Sequence, residues 1–440
     1  MPGADYRCVQ ISLENASQRR ALLLVSLAAA ALICFQAVRI WRADYRLHSD
    51  RLEVMERGAA LEPGNAEAWD RVGRRRQWDL ANPDPAGALT DYQRAVERNP
   101  LSAHYWMDLA SAYEDTGNLP LARDAFEHAR KVYPASAEVA WNYGNFLLRQ
   151  EQYSEGFAQI QRAVSADHTL LPLAISRTWR SNHNVNLLLD EVLPANVDAY
   201  FQALDFFSAN HQASAGLAVW QRLLALGKSF TLQRSFPFLD DLILEDRAED
   251  ARRVWREALA AAGLPHEEPP GNSLLWNGDF GQDFANGGLD WRWVALPGVA
   301  IDFDAAPPAH GPRSLRLEFG GGSNLALNEP SQFVPVEPGR AYHFHAAMRT
   351  EGITTESGLR FALTDAKHPA GARLVTENLT GSHNWTNVEG DVTISAETHF
   401  LLLRLQRDPS RLFENKLGGI VWVADVSLVP VSAEAGKPPQ

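Results

Sequence analysis

At 440 residues, 45% of them hydrophobic and 22% charged, the chain is too long for one ordinary compact domain and too apolar for wholesale disorder. A formal net charge of −13 argues against a broad electrostatic footprint for nucleic acid. Its two cysteines, Cys8 and Cys34, exclude a disulfide scaffold and leave everything beyond Cys34 without a thiol for a metal.

Between Arg20 and Arg39 runs ALLLVSLAAAALICFQAV, uncharged throughout. As a helix it covers roughly 27 Å at about 1.5 Å per residue, just enough to cross a bilayer. A cleaved signal peptide needs small residues three and one before the cut, and Phe35-Gln36-Ala37 puts a bulky ring there. A lipid-modified Cys34 would want a small residue where Ile33 stands, and a buried soluble helix is usually shorter or carries a polar face. The expectation is an uncleaved transmembrane helix over 21–38, following an N-terminal tail, 1–20. Arg7, Arg19 and Arg20 precede the span, and Arg39, Arg42, Arg46 and Arg51 follow it. That count mildly favours a cytoplasmic bulk, but a long domain translocates despite such charges.

From residue 44 to 263 apolar residues recur at helical spacing. Prolines closing helical runs stand at Pro63, Pro100 and Pro134, spaced by 37 and 34 residues. The clearest copy is AHYWMDLASAYEDTGNLPLARDAFEHARKVYP, with Trp106, Leu109, Ala110, Tyr113, Gly117, Ala122, Phe126, Ala129 and Pro134. A preceding copy carries Trp69, Gly73, Ala88, Tyr92 and Pro100, and a following one Tyr143, Gly144, Gly156 and Ala163. Degenerate copies place Gly216 with Trp220 and Ala251 with Trp255. This pattern resembles the tetratricopeptide repeat (TPR), in which small residues let paired helices approach, aromatics fill the gaps between repeats and proline ends the second helix. The resemblance implies a curved α-solenoid whose concave wall, built from the first helix of each repeat, holds a peptide or partner protein. Residues expected on that wall are Arg74, Met107, Ser111, Trp141, Asn145 and Arg149. Asn145 and Arg149, four apart on one helix face, form a candidate carboxylate or backbone ligand pair. Some relatives clamp a C-terminal carboxylate with Lys, Asn and Arg; the lysines are missing here, and a merely solvated groove is the competing reading.

GLPHEEPPGN breaks the helical pattern, so 264–271 reads as a linker. Beyond it SLRLEF, AYHFHAAM, LRFALT, NVEGDVTI, HFLLLRLQ and IVWVADVSLV alternate with turn residues, the pattern of an antiparallel β-sandwich over 272–430, with a disordered tail at 431–440. The opening LLWNGDF, then GLDWRW, EPGRAYHFHAAMRT, HNWTNVEGDVTI and the last VWVADVSLVP are similar in order to galactose-binding-like jelly rolls, which include carbohydrate-binding modules. The resemblance implies a possible structural calcium between the opening motif and the final strand, for which Asp279 and Asp425 offer oxygen, although Gly281 and Ala424 stand where acidic residues are common. Alternation sends His343, His345, Arg349, Arg360, Arg404 and Gln406 outward, and they are expected to share one sheet face with donors for sugar hydroxyls or acidic groups on a polysaccharide. Trp276, Trp291, Trp293 and Trp385 are expected in the core.

No nucleophile elbow, zinc-protease helix, phosphate loop or dinucleotide fingerprint occurs. The expected whole is a multidomain α-then-β protein with one transmembrane helix, a TPR solenoid and a sandwich: a non-enzymatic scaffold without a cofactor beyond that calcium. It would sit in a bacterial inner membrane with its bulk more periplasmic than cytoplasmic, joining a protein partner to a surface polysaccharide. A purely structural interaction subunit is the alternative, and an enzyme with a site between solenoid and sandwich the remote one.

Overall fold

The computed structural model describes residues 15–307, 310–368 and 371–431, so most of the expected tail at 1–20 and nearly all of that at 431–440 lie outside the described residues. The chain divides into two compact units, Met1–Ala174 and Ile175–Gln440.

In the first unit the Leu- and Ala-rich run forms α1 (Ala16–Leu47), whose Leu23, Val25, Leu27, Leu32, Ile33 and Phe35 are exposed. Its length and composition fit a membrane anchor or a signal sequence. The helix outlasts the apolar run. Leu47 is buried in one cluster with Met55 and Ala59 of α2 (Leu52–Leu61) and Ala68 and Val72 of α3 (Ala66–Gln77). A Cβ on Gly58 of α2 would stand 3.0 Å from the carbonyl oxygen of Ala43, which is itself buried, so α1 and α2 approach at backbone distance.

Three helix pairs follow: α3 with α4 (Pro85–Arg98), α5 (Ala103–Asp115) with α6 (Leu119–Val132), and α7 (Ala137–Arg149) with α8 (Tyr153–Ala166). Side-chain caps start several of them: Asn65 accepts from Ala68 N–H, Ser136 from Val139 N–H, and Asp84 from Gly87 N–H ahead of Pro85. Small residues set the helix spacing. A Cβ on Gly73 would lie 2.8 Å from the Tyr92 ring, and one on Gly144 2.9 Å from Ile160. Phe126, Tyr143 and Phe146 stack in the gap between neighbouring pairs, with ring centroids 5.4 Å apart for Phe126 and Tyr143.

The division at Ala174 falls inside α9 (Leu171–Asn182). The second unit continues with α10 (Val185–Leu187), which runs into a π turn at Leu188–Val192, and then α11 (Val197–Ala209), α12 (Ala213–Ala225), α13 (Phe236–Leu244) and α14 (Ala248–Ala261). Gly216 of α12 lets Phe238 of α13 in, since a Cβ there would come within 2.5 Å of that ring.

Nine strands make the β part: β1 (Val299–Ala305), β2 (Arg313–Gly320), β3 (Ser331–Pro335), β4 (Ala341–Ile353), β5 (Arg360–Asp365), β6 (Arg373–Val375), β7 (Gly381–Thr393), β8 (Phe400–Gln406) and β9 (Gly418–Pro430). They form two open antiparallel sheets, ordered β1-β2-β9-β4-β7 and β3-β8-β5-β6. Inward residues of both, among them Leu317, Phe344, Met348, Phe361, Leu403 and Val423, share one core. This is the sandwich expected from the alternating pattern.

Helices α13 and α14 rest on this sandwich within the second unit. Arg252 donates to the Pro335 carbonyl at 3.0 Å, Arg292 meets Asp240 at 2.5 Å and Lys367 meets Asp246 at 2.7 Å. Gly287 and Gly288 admit the rings of Phe236 and Trp255, which any Cβ there would strike. The expected linker at 264–271 lies within the second compact unit, and these contacts join the helices before it to the sandwich after it.

Candidate functional sites

The first site is the wall made by α3, α5 and α7, which contact one another in series. Four-residue spacing puts Asp70 and Arg74 on one face of α3, and His104 and Asp108 on one face of α5. Asp70 is fully buried, and Arg74 forms an ion pair with it and reaches Asp108 at 3.5 Å. His104 Nε2 stands 3.3 Å from the same Asp108. Burial and the neighbouring Asp70 push the Asp108 carboxyl well above the usual aspartate range, against the pull of Arg74. Next along the wall, Gln77 donates to Ser111 Oγ at 3.0 Å and to Asp115 at 2.6 Å, and accepts from Tyr92 Oη at 2.8 Å.

Of the residues expected on this wall, Arg74 and Ser111 face the polar network and Trp141 is half-buried. Met107 is core, packed with Phe126 and Tyr143, because one helical step turns it from the wall into the gap between pairs. Asn145 is buried as well, its Nδ2 donating to the Trp141 carbonyl at 2.8 Å. Arg149 makes two bonds of 2.7 Å to Glu114, so the expected Asn145–Arg149 ligand pair does not form. Asp70, His104 and Asp108 escaped notice in the sequence, where two i,i+4 pairs in successive first helices were the available signal.

The second site lies in the second unit, where the Gly-rich opening of the sandwich meets α14. A cleft of about 1120 Å³ is lined by Trp255, Leu264, Trp276, Asn277 and Gln282 and by six carboxylates, Glu267, Glu268, Asp279, Asp283, Asp290 and Asp425; among the described residues no Lys, Arg or His lines it. Some of its backbone adopts a conformation that L-residues rarely take: lining residues Asn277 and Asp425 both have φ of 49°, and Phe280 and Asn286, close by in sequence, have 51° and 59°. Asp425 sits at a bulge where the β4–β9 register slips between His345 and Ala347. The slip turns Val426 N–H away to donate to the Gly278 carbonyl at 2.9 Å, and a Cβ on Gly278 would run into the Val426 carbonyl.

Asp279 and Asp425 thus border one cleft. The Asp279 carboxylate accepts from Gly281 N–H at 3.1 Å, and the Asp425 carbonyl is 3.1 Å from His345 Nδ1. Two lining carboxylates are compensated: Glu268 by Arg256 at 3.1 Å and Asp283 by Arg313 at 3.1 Å. Asp290 is not. Although its carboxylate accepts from Ala285 N–H at 2.9 Å, burial pushes its pKa up to about 6.

The expected sugar-binding face does not exist as one surface. His343, His345 and Arg349 project outward from β4 in the five-stranded sheet; Arg360 on β5 and Arg404 and Gln406 on β8 project outward from the other sheet, so the two trios lie on opposite faces of the sandwich. Most are already engaged. His343 meets Asp391 at 2.7 Å, Arg349 lies 4.4 Å over the Trp422 ring and Arg360 pairs with Asp408. Trp276 and Trp291 are buried and Trp293 packs against the core. Trp385 is a correction: it is half-exposed on β7 beside His310 rather than inside.

A tetratricopeptide-repeat family model matches residues 79–129 and 108–169. No curated protein matches the chain. Among solved structures, MamA is 14% identical, covering 40% of this chain and 85% of its own at a TM-score of 0.26. YrrB, a TPR protein described as having an unusual peptide-binding site, is 14% identical over 48% of this chain and 94% of its own, with a TM-score of 0.26. The enzymatically active domain of tailspike protein 4 from bacteriophage CBA120 is 12% identical over 37% of this chain and 22% of its own, at 0.29. Likeness at that level carries no argument. With the helix pairing and the small residues between paired helices, the family match makes residues 79–169 tetratricopeptide repeats, a scaffold suited to binding other proteins.

Proposed function

We propose that the chain is a membrane-tethered, non-enzymatic scaffold that presents the α3–α5–α7 wall to a partner protein. The observation carrying this reading is the continuity of α1: the apolar span and the first buried turn of the repeat array belong to one helix. Cleavage near Ala37, as for a signal sequence, would cut that helix about two turns before Ala43 and about three before Leu47, which are both buried. Retention as an anchor keeps those contacts. The wall's buried Asp70 and half-buried Asp108 and His104 suit a partner segment carrying a basic side chain, which would share Asp70 and Asp108 with Arg74. A photo-crosslinking residue at His104, with one at exposed Arg98 as control, tests this in membranes. Capture of a discrete partner from position 104, absent from position 98 and lost in Asp108→Asn, supports the reading; equal labelling from both positions removes it. Carbonate extraction that releases the full chain would remove the anchor.

A second reading gives the cleft of the second unit a ligand of its own. Trp276, Asn277 and Gln282 beside six carboxylates, with no basic lining residue among the described residues, favour a neutral or amino-bearing glycan over an acidic one. The bacterial surface-polysaccharide role rests on this reading, as does the inner-membrane, periplasm-facing placement. Calcium at Asp279 and Asp425 fits the same acidic rim. Binding of neutral but not uronic-acid-containing oligosaccharides, weakened in Gln282→Ala, is the expected result; binding of acidic glycans alone would reject it.

A further inference from the structure

Outside both sites, one cluster in the second unit has donors with no visible task. Asp241 and Glu245 lie four apart at the C-terminal end of α13, on one helix face, and His211 reaches them from the α11–α12 turn. One ligand atom from each falls within 4.8 Å of the others. His211 Nδ1 is 2.9 Å from Asp241 Oδ1. The Asp241 side chain is only 4% exposed, yet its Oδ2 has no hydrogen-bond partner, and neither does the buried Oε1 of Glu245. Two carboxylates with orphaned buried oxygens beside one imidazole are costly unless a cation joins them. Arg247, two residues beyond Glu245, is committed to Asp250 at 2.6 Å, and Lys367 to Asp246 at 2.7 Å.

We propose that His211, Asp241 and Glu245 form a site for a divalent first-row transition metal, with zinc as the occupant. One imidazole and two carboxylates are a borderline donor set that suits zinc better than calcium or magnesium, and water completes the shell. Metal–ligand distances of about 2.0–2.2 Å at tetrahedral angles put the donors about 3.4 Å apart, so closure asks for side-chain movements on the order of 1 Å. Exposed His211 gives the ion a path in, taking the tautomer protonated at Nε2 so that Nδ1 offers its lone pair. The bound ion would tie the α11–α12 turn to α13.

Zinc titration of the full chain in detergent, after chelator treatment, tests the site by calorimetry. One equivalent should bind with a Kd of about 10 µM or tighter. Asp241→Asn and Glu245→Gln should each weaken it about tenfold or more, and Asp70→Asn with Asp108→Asn should leave it unchanged. No uptake at about 100 µM zinc, or uptake within about threefold of the native value in Glu245→Gln, overturns the proposal. Glu245→Gln keeps the shape of its side chain and decides the matter alone if Asp241→Asn loses its helical circular dichroism.

Discussion

The Asp70, His104 and Asp108 cluster in the first unit and the His211, Asp241 and Glu245 cluster in the second draw on the same donor types, on helices of the same kind. They differ in one residue. Arg74 stands between the carboxylates of the first, whereas the second has only an exposed histidine. Asp290, in the cleft, has neither. The three cases form a series in how a buried carboxylate is satisfied: by a fixed cation, by one imidazole hydrogen bond or by backbone N–H alone. The first arrangement suits the macromolecular partner proposed for the wall, and the second the small cation proposed for its cluster.

Removing the fixed cation should have the largest effect. Arg74→Ala leaves fully buried Asp70 without its charge partner, and should cost about 3–4 kcal/mol of first-unit stability in urea unfolding, below the most a buried pair can cost because Arg74 is itself partly exposed. Arg74→Ala with Asp70→Asn should recover most of the loss. If the single substitution is neutral, Arg74 is an ornament of the wall and the contrast with the second cluster fails.

Asp290 should come next, through pH. The folded protein holds this proton up to about 6, whereas the unfolded chain releases it near the ordinary aspartate value of 3.8. Between those values the folded state binds more protons, so this contribution to stability falls as pH rises from about 4 to 6 and is then flat. The amplitude is about 3 kcal/mol. Asp290→Asn should remove that much slope from the second unit's unfolding profile and be the more stable chain above pH 6. Identical slopes in the two proteins would mean that Asp290 ionises normally in the folded state.

His211→Ala should cost less, about 1 kcal/mol without metal, because the bond it removes is at the surface end of Asp241. A chain unaffected by this change in chelator but destabilised in zinc would sharpen the comparison in favour of the metal.

The sequence showed some of this and hid the rest for identifiable reasons. Trp106, Tyr113, Gly117 and Ala122 carry their repeat positions in residue type, so the helix pairs around them were legible. Met107 was misplaced because residues one step apart on a helix point 100° apart, and a wall estimated from repeat position has that much error. Alternation told which way His343 and Arg360 point but not that they belong to different sheets, because strand order depends on long-range pairing. Asp279 and Asp425 were read together only through a resemblance; the bulge that brings β9 to the opening motif has no local signature.

The repeat turns show the same limit on a smaller scale and carry the smallest prediction. Asn118, Gln152, Gln212 and Arg247 each donate a backbone N–H five residues back, at 2.8, 3.0, 3.0 and 2.9 Å, and the residue before each is left-handed: Gly117, Glu151, His211 and Asp246, at φ of 78°, 59°, 52° and 58°. One helix-ending motif thus recurs in four helix pairs, but only the first spells it with glycine. A side chain in that conformation costs about 1–2 kcal/mol, partly offset by the greater unfolded-state freedom of glycine. Glu151→Gly should therefore stabilise the first unit by about 0.5 kcal/mol. Gly117→Ala, where a Cβ meets nothing within 4 Å, should cost about 1 kcal/mol from backbone conformation alone. Opposite signs at these two positions would identify the turn as the feature all four pairs share; equal signs would mean that Glu151 is held by its own contacts and not by the motif.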